Sequence, residues 1–78
     1  MKFTKYFQEM RLRSDRAVIR LEWIQQVLKN PVKEIIQKDG RIRRWAPIEE
    51  MEGRYLRVIL LEDGETIHNA FFDRRFMP

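Results

Sequence analysis

Two Asp-Gly pairs constrain this chain more than any other feature. Asp39-Gly40 stands between "VKEIIQK" and "RIRRWAPI", and Asp63-Gly64 between "RYLRVILLE" and "ETIHNAFF". Each pair separates two β-rich runs, and a tight turn between antiparallel strands needs the positive φ that these residues tolerate. The second half of the chain therefore reads as two hairpins, with strands near 32–38, 41–47, 54–61 and 66–72. The connection "PIEEMEG", carrying Pro47 and Gly53, is a polar loop long enough to bring the third strand beside the second.

Before Pro31 the period changes from two to that of a helix. Ala17, Leu21, Ile24 and Leu28 fall on one helical face, and Val18, Trp23 and Val27 widen the stripe. The spacing predicts a helix over 15–29, with Ser14 or Asp15 as its cap and Asn30-Pro31 as its stop. A break near Ile19-Arg20 would instead leave a short turn and a helix from about Leu21. Upstream, Tyr6, Phe7 and Met10 hint at a weaker first helix. The expected fold is α+β: one or two N-terminal helices packed on a four-stranded antiparallel β-meander, in a single small domain over 1–78.

Composition narrows the function classes. The chain has 78 residues, enough for one two-layer core and too few for a second domain. Hydrophobic residues make up 44% and charged residues 36%, which suits a folded chain rather than a disordered one. There is no cysteine, which removes thiolate catalysis and disulfides and fits a cytoplasmic setting. The N-terminus lacks the apolar stretch of a secretory signal, and no uncharged run approaches the roughly 18 residues of a membrane span. No membrane partner is expected. Sixteen Lys+Arg against twelve Asp+Glu leave +4, an excess that favours a polyanion or an acidic protein as partner.

The second hairpin decides which residues share a face. A two-residue turn at Asp63-Gly64 pairs Leu60 with Ile67, Val58 with Asn69, Leu56 with Phe71 and Arg54 with Asp73. Tyr55, Arg57 and His68 then emerge together on the other face, with Arg57 diagonal to His68. A type I turn with a bulge at Gly64 would shift the pairing by one and set His68 opposite Val58 on the core face. The first register is preferred because it gathers Leu56, Val58, Leu60, Ile67 and Phe71 and pairs Arg54 with Asp73. It leaves Asn69 on an apolar face in need of partners.

Few constellations in the chain carry chemistry. One histidine and no cysteine do not build a zinc site, the acidic run Glu49, Glu50 and Glu52 reads as a solvated loop, and the isolated glycines form no phosphate-cradling loop. No cofactor or metal is implied. Metal-free ribonuclease chemistry needs a proton acceptor, a proton donor and cations for the phosphorane, and His68, Tyr55 and Arg57 have the right chemistry for these roles. The plainer reading is a hydrogen-bonded strand histidine beside an ordinary exposed Tyr/Arg face. Arg41, Arg43, Arg44 and Trp45, with Arg74 and Arg75, place arginine beside aromatics, a combination that grips phosphates and stacks on bases. Ion pairs to Glu34, Glu62 or Asp73 are the alternative use of those arginines.

The stretches "EWIQQVLKNP", "DGRIRRWAPI" and "GRYLRVILLEDGETIHNAFFDRRF" together resemble a family of short bacterial and phage-type proteins with a helix ending in Asn-Pro. In that family an antiparallel sheet carrying a Gly-Arg-Tyr-Leu-Arg-Val strand follows the helix, here Gly53 to Val58. The resemblance spans roughly residues 16 to 76. Proteins of this outline are similar to the RelE and BrnT type of toxin, small helix-plus-sheet ribonucleases held inactive by a partner antitoxin. The likeness implies a toxin-type module acting on RNA or the ribosome, by metal-free cleavage or by interference with translation, with an acidic antitoxin-like protein as partner. The other reading is a small non-catalytic module that binds a protein or a nucleic acid.

Overall fold

A computed structural model describes residues 1–13 and 18–78. The expected cap at Ser14 or Asp15, and the core position Ala17, lie outside the described residues. The elements are β1 (Lys2–Phe3), α1 (Lys5–Met10), α2 (Leu21–Lys29), β2 (Lys33–Ile36), β3 (Ile42–Ile48), a 3-10 turn (Glu49–Met51), β4 (Arg54–Leu60) and β5 (Thr66–Phe72). The class is α+β, as the sequence reading expects. The sheet differs: it has five strands in the order β1-β5-β4-β3-β2, and β1 runs parallel to β5, so it is mixed rather than a four-stranded antiparallel meander. β1 is too short for any period to announce it. It is held by the Thr4 N–H donating to the Ile67 carbonyl (3.0 Å) and by Phe3 stacking on Phe7, centroids 5.3 Å apart.

α2 starts at Leu21, the later of the two starts open to the sequence, after an extended Arg20 that makes no side-chain cap. Its buried stripe is Trp23, Ile24 and Val27; Leu28 sits half-buried at the margin, while Leu21 and Val18 are exposed. The helix is thus rotated away from the face drawn through Leu21. Trp23 turns its Nε1–H to Glu50 (3.1 Å), so one member of the acidic run has a structural partner and is not simply solvated.

Both Asp-Gly turns are made by glycine at positive φ, 89° at Gly40 and 71° at Gly64. Neither is a two-residue loop. In each, a carbonyl accepts from the glycine N–H, Gln37 from Gly40 and Leu61 from Gly64, both at 3.0 Å, and the strands close at Gln37/Arg41 and Leu61/Thr66. This is the type I turn followed by a left-handed residue that longer hairpin loops adopt. Asp63 locks the second loop by accepting from the Glu65 and Thr66 N–H groups and the Thr66 hydroxyl. Hydrogen bonds from Thr66, first by its hydroxyl, lower the Asp63 pKa to about 2.

The register of the second hairpin follows neither expected pattern throughout. Leu60 pairs with Ile67 as the first register requires, but a bulge then intervenes, and Ile59 pairs with Asn69, Val58 with Ala70, Arg57 with Phe71 and Leu56 with Phe72. His68 is the extra residue. The bulge answers the difficulty posed by Asn69: it turns Asn69 away from the core and puts the small, buried Ala70 there instead. The same shift moves Phe71 out of the core face, correcting its expected place beside Leu56.

Both helices lie on one side of the sheet. Phe7, Ile19, Trp23, Ile24 and Val27 join Ala46, Ile48, Leu56, Val58, Leu60, Ile67 and Ala70 in one buried cluster. Among the described residues no helix is long and apolar enough to cross a membrane. Strand alternation sends the intervening residues, Lys33, Ile35, Arg43, Trp45, Tyr55, Arg57, Asn69 and Phe71, to the face that carries no helix.

Candidate polyanion-binding face

The tail after β5 folds back across this helix-free face. Asp73 donates its N–H to the Tyr55 carbonyl at 2.9 Å and accepts the Arg75 N–H on Oδ1 at 3.1 Å. Its Oδ2 accepts from Arg57 Nη2 (2.7 Å), Arg57 Nε (3.0 Å) and Trp45 Nε1 (3.0 Å). Desolvation works to raise the Asp73 pKa, but the hydrogen bonds from Trp45 and Arg57 and the Arg57 charge outweigh it and hold the carboxyl below its ordinary range. Arg57 lies over the rings of Phe71 (4.9 Å) and Trp45 (5.3 Å). The expected Arg54–Asp73 pair is therefore replaced by Arg57–Asp73, because the bulge turns β5 so that Arg54 stands over the Phe72 ring at 4.8 Å.

Three further cations line a shallow groove of about 230 Å³ beside this hub: Lys33 from β2, Arg43 from β3 and Arg75 from the tail. Among the described residues none of the three has a carboxylate partner, and Arg43 Nε is buried without an acceptor. Among the described residues, Asp73, already committed to Arg57, is the one carboxylate lining the groove. Phe76 covers its floor, stacked on Trp45 with centroids 4.8 Å apart and planes 14° apart.

The chain matches no family model, no curated protein and no solved structure. Geometry alone therefore sorts the residues singled out by sequence. Arg43, Trp45 and Arg75 come together at the groove. Arg44 lies on the helix side and is ion-paired to Glu34 at 2.6 Å, the partner named as its alternative use. Arg41 sits in the first turn 3.8 Å from Asp39, and Arg74 lines an adjoining cavity of about 250 Å³ with Arg54, Tyr55 and Phe72, which shares Asp73 and Phe76 with the groove.

The trio His68, Tyr55 and Arg57 is not assembled. His68 is carried by the bulge toward α1, where its ring stacks on Tyr6 (4.9 Å) and its Nδ1 lies 3.2 Å from Thr4 Oγ1. That hydroxyl already accepts the Phe7 N–H at 3.0 Å as the cap of α1, so its own proton is free to meet a neutral Nδ1. Burial, and secondarily the Arg41 charge, lower the His68 pKa. The sign follows: with the folded value below the unfolded one, the native ring is stabilising above about pH 6.5, and this is lost as pH falls toward the folded value. An NMR titration of the imidazole should give a midpoint below 6.5; a midpoint at or above it would contradict this placement.

Sequence reasoning missed Lys33 and the covering role of Phe76. Lys33 was legible in principle, since it alternates with Ile35 on the strand that pairs with Arg43 and Trp45. Phe76 follows the last strand, where no periodicity operates.

Proposed function

We propose that the protein binds RNA, without cleaving it, on the helix-free face of its sheet. The observation that carries this reading is the groove in which Lys33, Arg43 and Arg75 stand, among the described residues, without carboxylate partners around the Trp45–Phe76 pair. Unpaired cations beside aromatic rings offer phosphates a counter-charge and bases a stacking surface. An acidic protein would use the cations and leave the aromatics without a role.

Cleavage of the RelE-like kind draws less support. It needs an acid-base pair beside a phosphate-binding cation, whereas His68 is turned to Thr4 and Tyr6 and the charge of Arg57 is met by Asp73. The non-catalytic reading requires neither.

Affinity for RNA should fall linearly with the logarithm of salt concentration. Lys33→Ala, Arg43→Ala and Arg75→Ala should each reduce that slope by about one, while Arg44→Ala should leave it nearly unchanged. Binding titrations across a salt series, with the RNA recovered intact afterwards, check this. Salt-independent affinity would overturn the reading and point to an apolar protein partner.

A further inference from the structure

The tail brings to this face, from the chain itself, the two groups that a nucleotide would bring. Phe76 lies nearly flat on Trp45 with its centroid 4.8 Å away, as a base lies on an aromatic platform, and meets Tyr55 edge-on at 5.0 Å. The Asp73 carboxylate accepts from Arg57 and from the Trp45 indole, as a phosphate oxygen would.

These two stand-ins are held very differently. Asp73 is tied to β4 by its own N–H and to Arg57 and Trp45 by its side chain. The Phe76 N–H reaches only the Asp73 carbonyl, within the tail, at 3.4 Å, and no backbone hydrogen bond joins Phe76 to the sheet among the described residues. Its neighbour Met77 is 83% exposed. Phe76 thus rests on Trp45 by ring contacts, beside an Arg43 whose Nε has no acceptor. A ring held only by stacking can be exchanged for another ring, and an orphaned guanidinium nitrogen favours an exchange that brings an anion.

We infer that Phe76 is the displaceable cover of a nucleotide subsite: a base of single-stranded RNA takes its place on Trp45, and the adjoining phosphates are held by Arg43, Lys33 and Arg75. The inference rests on the RNA-binding reading and sharpens it, because a base paired and stacked within a duplex has no free face to offer Trp45.

Fluorescence anisotropy on the full chain, with a labelled single strand of about ten nucleotides and a duplex of equal length, tests it. Phe76→Ala and Phe76→Leu should both bind the single strand about threefold to tenfold more tightly than the parent, the scale of one aromatic pair removed from competition. Duplex affinity should not change, and Phe76→Trp, which keeps the stack, should behave as the parent. The leucine variant keeps an apolar cover, so it decides the matter if the alanine variant loses its folded circular-dichroism spectrum. Unchanged or weakened single-strand binding in a folded variant, with the parent still binding in a salt-dependent way, would overturn this inference alone. No salt-dependent binding by the parent would overturn the RNA reading and the inference with it.

Discussion

Leu56→Ala should lower the unfolding free energy by about 2–5 kcal/mol, the range for emptying a fully buried leucine site. Leu56 has no exposed surface, lies between Ala46 and Phe72 in the sheet, and belongs to the cluster that also holds Ile24 and Val27 of α2. Truncation there removes methyls from the middle of that buried cluster and leaves a cavity that costs free energy beyond the lost transfer. Leu28→Ala should cost less, about 1–2 kcal/mol, because Leu28 is half-buried at the helix margin and water reaches part of it already. Urea unfolding measures both. Equal midpoints for Leu56→Ala and the parent would contradict the core described above.

The second large effect is expected at Asp73. Its removal leaves the Arg57 guanidinium, whose side chain is 22% exposed, and the Trp45 indole N–H without their shared acceptor. Breaking a buried pair by deleting one partner costs about 3–5 kcal/mol, and Asp73→Ala should fall in or just below that range since Arg57 keeps some water. The pH dependence has a definite sign. Asp73 is depressed in the folded state, so its contribution is complete above the unfolded carboxyl value of about 3.9 and is lost as pH falls through the folded value. Stability followed from pH 5 into the acid range should therefore drop more steeply in the parent than in Asp73→Asn, which has no charge to lose. Parallel curves would mean that the Arg57–Asp73 pair contributes little.

The parts of the fold that were legible in the sequence are those in which local chemistry and tertiary packing agree. Asp-Gly followed by alternating apolar residues marked both hairpins, and the helical period marked α2, although its buried side is centred on Trp23, Ile24 and Val27 and not on the stripe through Leu21. What was not legible depends on contacts distant in sequence. The two residues of β1 have no period and become a strand only through β5. The bulge at His68 is set by the need to turn Asn69 out and Ala70 in, and by Thr4 and Tyr6 more than 60 positions away. That one inserted residue separated His68 from Arg57 and exchanged Arg54 for Arg57 at Asp73. The basic, aromatic character of Arg43 and Trp45 survived because alternation along β3 is a local property. The burial of Trp45 was not legible, because its cover arrives from beyond the last strand.

The proposed RNA surface is one face of the sheet, the one without helices. A titration of isotope-labelled protein with single-stranded RNA, followed residue by residue by NMR, tests it most directly. Progressive shifts are expected at Lys33, Ile35, Arg43, Phe71 and Arg75 and at the Trp45 indole N–H, with Glu22, Gln25, Gln26 and Lys29 of α2 unmoved. Shifts confined to α2, or no shifts at RNA concentrations that saturate binding of basic single-strand modules, would contradict it.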